Sequence, residues 1–147
     1  MKNLALLSLL MTAIIVFTGF KSGKVKSDPW AKDQLMEPAD LAKQLAAGNK
    51  NNIVIFSIGP SGLIKGAIDM GAAHDNGNLA KLKTALNKLP GNTNVVIYCG
   101  CCPFEHCPNI RPAFKLLNEM KFTNAKLLNL PHNLKADWID KGYPMPA

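Results

Sequence analysis

Short runs of apolar residues alternate along the chain with segments in which apolar residues recur every three or four positions. Residues 53–58 form a nearly continuous run of β-branched and aromatic side chains, and residues 93–98 form a second run. Such runs are typical of strands buried on both faces, and therefore of a parallel sheet covered by helices on each side. Residues 125–130 predict one more strand.

Between these runs the spacing of apolar residues predicts helices, each bounded by residues that commonly start or stop a helix. The expected helices are residues 38–47, a segment capped by Asn78 and ended by Pro90-Gly91, a segment capped by Asn109, and a last short helix from about Asn133 to Gly142. Strands alternate with helices, so the sequence predicts an α/β fold with a central parallel sheet flanked by helices on both faces.

The charge of the chain does not indicate a nucleic-acid partner. Of the 17 basic residues, 13 lie after residue 26, together with all ten acidic residues, so this part carries a formal charge of only +3. Arg111 is the single arginine, whereas phosphate and base recognition depend largely on guanidinium groups. We therefore expect no nucleic acid among the partners.

The N-terminal residues differ from the rest in composition. Residues 1–26 begin with a short basic stretch and continue into an apolar segment, residues 4–20, which is typical of a secretory signal peptide or an uncleaved anchor. Residues 27–34, which include Trp30, are predicted to form a linker, and residues 35–147 are predicted to form one domain. The sequence thus predicts an exported protein, periplasmic or attached to the membrane through residues 4–20.

All four cysteines fall within nine residues, in the segment Cys99-Gly-Cys101-Cys102-Pro-Phe-Glu-His-Cys107. The segment follows a predicted strand and precedes a predicted helix. The positive end of a helix dipole lowers the pKa of a nearby thiol and favours bound anions. The pattern therefore indicates sulfur chemistry or metal binding by sulfur.

The order of four short segments between about residues 35 and 144 resembles that of single-domain rhodaneses, a family of sulfurtransferases. These segments are Gly62-Leu63-Ile64-Lys65-Gly66-Ala67, an altered form of a Gly-His-Ile-Pro-Gly-Ala signature; Val95-Val96-Ile97-Tyr98-Cys99; Phe122-Thr123-Asn124-Ala125; and Trp138-Ile139-Asp140-Lys141-Gly142-Tyr143-Pro144, a Trp-x-x-x-Gly-x-Pro ending. The resemblance implies a rhodanese-like fold and a persulfide intermediate on Cys99, without a cofactor. It further implies a small sulfur donor (thiosulfate, polysulfide or persulfide) and a thiol acceptor.

The same resemblance assigns the cysteine-rich segment as the substrate-binding loop. Its members are Gly100, Cys101, Pro103, Phe104, Glu105, His106, Cys107, Pro108 and Asn109, with Arg111 and Cys102 as further catalytic candidates. The loop is about five residues longer than is usual in the family, where an arginine opens the helix, and Leu63 replaces the signature histidine. Eleven residues separate Cys99 from Arg111, which disfavours the Cys-x5-Arg chemistry of phosphatases on this fold.

The additional cysteines leave three interpretations open. Cys102 has the spacing of a redox partner for Cys99, so it is predicted to resolve the persulfide, with smaller effects of Cys101 and Cys107. Alternatively the cysteines form a structural disulfide. In the third interpretation they bind a metal through Cys99, Cys101, Cys102 and Cys107, with His106 nearby. The functions weighed are therefore a sulfurtransferase, a thiol–disulfide oxidoreductase using Cys99 and Cys102, and a metal- or sulfur-binding protein without enzymatic activity.

Two further histidines lie outside the cysteine-rich segment. His132 follows a predicted strand, and ligands gather at the carboxyl ends of strands in such sheets, but the sequence favours a surface turn residue at this position. His74 lies in a polar turn and receives no predicted role.

Overall fold

A computed structural model describes residues 28–147. The predicted signal or anchor lies outside the described residues, so export and membrane attachment stay predictions. Within these residues, five strands form one parallel sheet, in the spatial order Leu35–Met36, Ala125–Leu128, Val95–Tyr98, Val54–Ser57 and Ala67–Asp69. This confirms the predicted α/β class. No helix within residues 28–147 is both long and apolar enough to cross a membrane.

The helices and strands alternate along most of the chain. They are β1 (Leu35–Met36), α1 (Pro38–Ala46), β2 (Val54–Ser57), β3 (Ala67–Asp69), α2 (Asn76–Leu86), β4 (Val95–Tyr98), α3 (Ile110–Glu119) and β5 (Ala125–Leu128). Three short helical turns complete them: Lys32–Gln34, Phe104–His106 and Lys135–Ile139, the last of which is a π-helical turn.

The two faces of the sheet bury different side chains, as expected for central strands with helices on both sides. On β4, Val95 and Ile97 face a cluster that contains the apolar side chains of α2 and α3. Val96 and Tyr98 face the opposite cluster, to which α1 and the Lys135–Ile139 turn contribute. Cys99 continues the alternation and belongs to the α2 and α3 side.

The strand register places the exits of β2 and β4 side by side. Ser57 pairs with Tyr98 at the carboxyl ends of these strands. Because all strands are parallel, the loops that follow them meet at one edge of the sheet. The cysteine-rich loop therefore begins directly beside the loop that begins at Ile58.

The prediction that Asn78 caps the second helix is wrong. Asp75 is the N-cap residue, because its carboxylate accepts hydrogen bonds from the backbone N–H groups of Gly77 and Asn78 at 2.8 and 3.1 Å. This carboxylate satisfies two of the donors that a helix start leaves free. The helix consequently begins three residues earlier than predicted.

Trp30, expected in a linker ahead of the domain, instead packs into the core. Its side chain is 8% exposed, and its ring lies 6.2 Å from the ring of Phe104 and 5.8 Å from that of Phe114. The guanidinium of Arg111 lies 5.4 Å from the centre of the Trp30 ring. Residues ahead of β1 therefore help to cover the helix α3 side of the sheet.

Candidate functional site

Cys99 is the first residue after β4 and lies at the carboxyl edge of the sheet, buried to 1% exposure. Gly59, just beyond β2, packs directly against it. A Cβ atom added at Gly59 would lie 2.3 Å from Cys99 Sγ, well inside van der Waals contact. The Cys99 thiol can therefore occupy this position only because Gly59 has no side chain.

Gly100 holds the start of the cysteine-rich loop to two neighbouring loops. Its N–H donates to Ser61 Oγ at 3.0 Å, and its carbonyl accepts from the N–H of Leu134 at 2.9 Å. An added Cβ at Gly100 would lie 2.5 Å from Leu134 Cβ and 2.7 Å from Ser61 Oγ. Both contacts fix the backbone directly after Cys99, so the direction of its side chain is fixed as well.

The sulfur atoms of the loop converge on Cys99. Cys101 Sγ lies 3.3 Å from Cys99 Sγ, and Cys102 Sγ lies 3.3 Å from Cys101 Sγ. The Sγ atoms of Cys99, Cys101 and Cys107 all lie within 4.8 Å of one another. All four cysteines lie in the described part of the chain, and all are free thiols. The thiols grouped around Cys99 are therefore those of Cys101 and Cys107, whereas the sequence predicts Cys102 as its partner.

Asn109 precedes α3 as predicted, but its side chain does not cap the helix. Its Nδ2 instead donates to Cys99 Sγ at 3.4 Å. Its Oδ1 accepts from the backbone N–H of His74 at 3.0 Å and lies 2.7 Å from His74 Nδ1. An amide oxygen only accepts hydrogen bonds, so this assignment places a proton on His74 Nδ1. Exposed His74 is thereby linked to buried Cys99 through Asn109.

These contacts separate the acidities of the thiols. The pKa of Cys99 is lowered to about 5 because the Cys107 thiol donates a hydrogen bond to it, with further donation from Asn109 and from the Cys101 backbone, although burial opposes the change. Burial and the neighbouring sulfur atoms raise the pKa of Cys101 to about 12. The hydrogen bond to Cys99 also raises the pKa of Cys107. At neutral pH the cluster therefore carries its negative charge on Cys99.

Arg111 contacts the cysteine-rich loop, but its hydrogen bonds go to groups other than Cys99. Its guanidinium donates to the carbonyl of Glu105 at 2.8 Å and to the carboxylate of Asp28 at 2.6 Å, and it stacks on Trp30. The contacts that lower the pKa of Cys99 come from thiol, amide and backbone groups instead. Arg111 thus fastens the outside of the loop to the residues ahead of β1.

The remaining predicted loop residues divide into a buried anchor and an exposed surface. Phe104 is buried against Trp30 and its N–H donates to the carbonyl of Leu130 at 3.3 Å. The side chains that face outward are Pro103, Glu105, His106 and Pro108. The group of converging metal-ligand atoms around Cys99 contains thiols alone, without His106 or Cys102.

Sequence reasoning missed three residues at this site: Gly59, Ser61 and His74. Gly59 and Ser61 lie in the loop after β2, and the pairing of β2 with β4 brings this loop beside Cys99 and Gly100. His74 carries no sequence signal, because its link to Asn109 spans 35 positions. His132 is an exposed turn residue whose Nδ1 lies 2.9 Å from Asp137.

No model of a known protein family matches the chain, and no curated protein matches it.

Proposed function

We propose that the protein is a rhodanese-like sulfurtransferase in which Cys99 carries sulfane sulfur as a persulfide. The observation that carries the proposal is the environment of Cys99, a thiol at the end of a central strand with its pKa lowered to about 5 by the donors around it. The thiolate is the nucleophilic form of cysteine, and at neutral pH this group is almost fully ionised. The order of motifs along the sequence supports the same reaction class.

In the first step the Cys99 thiolate attacks the outer sulfur of a donor such as thiosulfate. A bond forms between Cys99 Sγ and that sulfur, and the sulfur–sulfur bond of thiosulfate breaks. Sulfite leaves with the bonding electron pair, and Cys99 becomes a persulfide anion. Asn109 and the N-terminal end of α3 stabilise negative charge at this position.

In the second step the outer sulfur moves to Cys101. The Cys101 thiol transfers its proton to the outer sulfur of the Cys99 persulfide anion. The Cys101 sulfur then attacks this protonated outer sulfur, the sulfur–sulfur bond to Cys99 breaks, and Cys99 leaves as a thiolate. Cys101 is the exposed member of the cluster and its Sγ lies 3.3 Å from Cys99 Sγ. An external thiol then removes the sulfur from Cys101 as a new persulfide. This route replaces the predicted role of Cys102.

Arg111 has a supporting role in this proposal. Its contacts to Glu105 and Asp28 hold the loop against the domain, so its contribution to turnover comes through loop position. The predicted catalytic role of Arg111 therefore becomes a positioning role.

Intact mass spectrometry of the reduced protein after incubation with thiosulfate tests the proposal. The wild type should gain the mass of one sulfur atom, and this adduct should be absent from Cys99→Ser. Cys101→Ser should retain the sulfur on Cys99 and release it slowly to an added thiol. Absence of the adduct from the wild type with both thiosulfate and polysulfide would refute the proposal.

Two comparisons separate the competing assignments in the same experiment. If the Cys102→Ser variant, rather than Cys101→Ser, retains the sulfur, the resolving thiol is Cys102 as the sequence predicts. The short distance between Cys99 and Cys101 also favours a second candidate function, a thiol–disulfide oxidoreductase that uses this pair. In that case, adding a disulfide substrate would convert the two thiols to a disulfide. The protein would then lose the mass of two hydrogen atoms and gain no sulfur.

A further inference from the structure

Three sulfur atoms in this loop form a compact group that does more than place one nucleophile. Cys99 directly follows β4, Cys101 lies in the loop, and Cys107 directly follows the Phe104–His106 turn. Their Sγ atoms all lie within 4.8 Å of one another, and those of Cys99 and Cys101 are 3.3 Å apart. In the proposed sulfur transfer Cys99 is the carrier, Cys101 the acceptor and Cys107 a hydrogen-bond donor to Cys99. Three thiols this close together can also act as one set of metal ligands.

The separations fit a metal ion held by three sulfurs. Metal–thiolate bonds measure about 2.3 Å, and three sulfurs around a central ion in one plane then lie about 4 Å apart. This spacing falls between the 3.3 Å separation of Cys99 and Cys101 and the 4.8 Å limit within which all three sulfurs lie. Small adjustments of the side chains are therefore sufficient to seat an ion.

The composition of the group selects the kind of ion. Structural zinc sites almost always have four ligands, whereas the converging atoms here are three thiols without a histidine or carboxylate. Soft thiolate ligands favour soft cations, and Cu(I) is the common biological cation that accepts a three-sulfur environment. We propose that Cys99, Cys101 and Cys107 form a three-coordinate thiolate site for Cu(I).

The surroundings of the three sulfurs suit such an ion. Cys99 and Cys107 are 1% and 0% exposed, while Cys101 is exposed, so the site is closed on the protein side and has an entry path at Cys101. Asn109 donates a hydrogen bond to Cys99 Sγ, and such contacts orient ligands and spread their negative charge. Binding involves no electron transfer, since Cu(I) stays Cu(I) and protonated thiols release their protons to solvent.

This site does not depend on the proposed sulfur transfer, although the two share Cys99. A bound ion occupies the Cys99 thiolate, so the copper-loaded protein should not form a persulfide. The metal would therefore act as an inhibitor of sulfur transfer, with Cys101 as the exposed position from which copper enters or leaves.

The test is an anaerobic titration of the fully reduced chain with Cu(I), in competition with a coloured Cu(I) chelator. We expect one Cu(I) per chain and an X-ray absorption spectrum that shows three sulfur neighbours. Losing a hydrogen-bond partner of a ligand typically costs metal sites about ten- to hundredfold in affinity, and losing a ligand costs at least as much. Cys99→Ser, Cys101→Ser and Cys107→Ser should each weaken binding to that extent, and Cys102→Ser should bind as the wild type does.

The outcomes separate the proposal from its alternatives. Cys101→Ser changes an exposed side chain, so its result stands even if Cys107→Ser fails to fold, which circular dichroism would reveal. Failure of the wild type to compete with the chelator overturns the site, and so does unchanged binding by Cys101→Ser. Equal weakening by Cys102→Ser overturns the three-sulfur assignment in favour of four ligands. Persulfide formation on copper-free protein is measured separately, so failure of one proposal is not failure of the other.

Discussion

The side-chain amide of Asn109 donates a hydrogen bond to the thiol sulfur of Cys99, across an Nδ2–Sγ distance of 3.4 Å. Asn109 occupies the N-cap position of α3, where a side chain commonly accepts a hydrogen bond from the helix. Here the amide turns to the sulfur, and its oxygen is held by His74. The Asn109 side chain thus makes no capping hydrogen bond to α3 and stabilises the Cys99 thiolate instead.

The acidity of Cys99 predicts an unusual pH profile of alkylation. Its pKa of about 5 lies far below the ordinary value, so the reactive thiolate is present above that pH and lost below it. The rate of iodoacetamide modification, followed by peptide mapping to Cys99, should rise through about pH 5 and then level off. A rate that rises only near about pH 8, as for a free thiol, would contradict the assigned environment.

Substitution of Asn109 should shift this profile upward. A hydrogen bond to a charged group contributes about 1.5–3 kcal/mol, so Asn109→Ala should raise the pKa of Cys99 by about one to two pH units. His74→Ala should raise it less, because His74 acts through the Asn109 amide. The matched control is His132→Ala, which removes a histidine bound to Asp137. Equal profiles for Asn109→Ala and the wild type would show that the amide does not stabilise the thiolate.

Gly59 offers a steric test of the same site. A methyl group at Gly59 would lie 2.3 Å from Cys99 Sγ, whereas one at Gly62 would meet its nearest neighbour, a Leu134 methyl carbon, at 3.8 Å. Gly59→Ala should therefore displace the thiol, lower its alkylation rate at neutral pH and destabilise the fold by about 1–3 kcal/mol. Gly62→Ala should stay within about 0.5 kcal/mol of the wild type in urea unfolding. Similar results for both variants would exclude the close packing described for Gly59.

Because the Trp30 side chain is buried, we expect the residues ahead of β1 to contribute to the stability of the domain. Trp30→Ala removes a buried ring that contacts Phe104, Phe114 and Arg111. Truncation of a buried tryptophan costs about 3–5 kcal/mol, so urea unfolding should show a loss of about this size. Ile139→Ala removes an exposed apolar side chain and should change stability by less than about 0.5 kcal/mol. A small effect of Trp30→Ala would instead support a linker.

The central strands were predictable because each has a local signal, an apolar run within its own residues. The runs that became β2 and β4 are almost wholly buried, and a strand covered on both faces needs apolar side chains at successive positions. The edge strands β1 and β3 were not predicted. They have two and three residues, none of them fully buried, so they leave no periodic signal.

Part of the site was predictable for the same reason. A thiol at the end of a buried strand and before a helix is a local feature, which is why Cys99 and the loop boundaries could be read from the sequence. The partner of Cys99 was predicted from spacing as Cys102. The path of the loop instead brings Cys101 to 3.3 Å, and spacing in a loop without regular structure does not define distances between side chains.

The sequence by itself determined the α/β class, the buried central strands and the position of Cys99 at a strand end, because local patterns of apolar residues encode burial. Only the tertiary structure decided what surrounds the thiol. Gly59 and Ser61 reach it because β2 lies beside β4, and His74 reaches it through Asn109 across 35 positions. These contacts follow from strand order and loop path, in which residues distant along the chain become neighbours at one edge of the sheet.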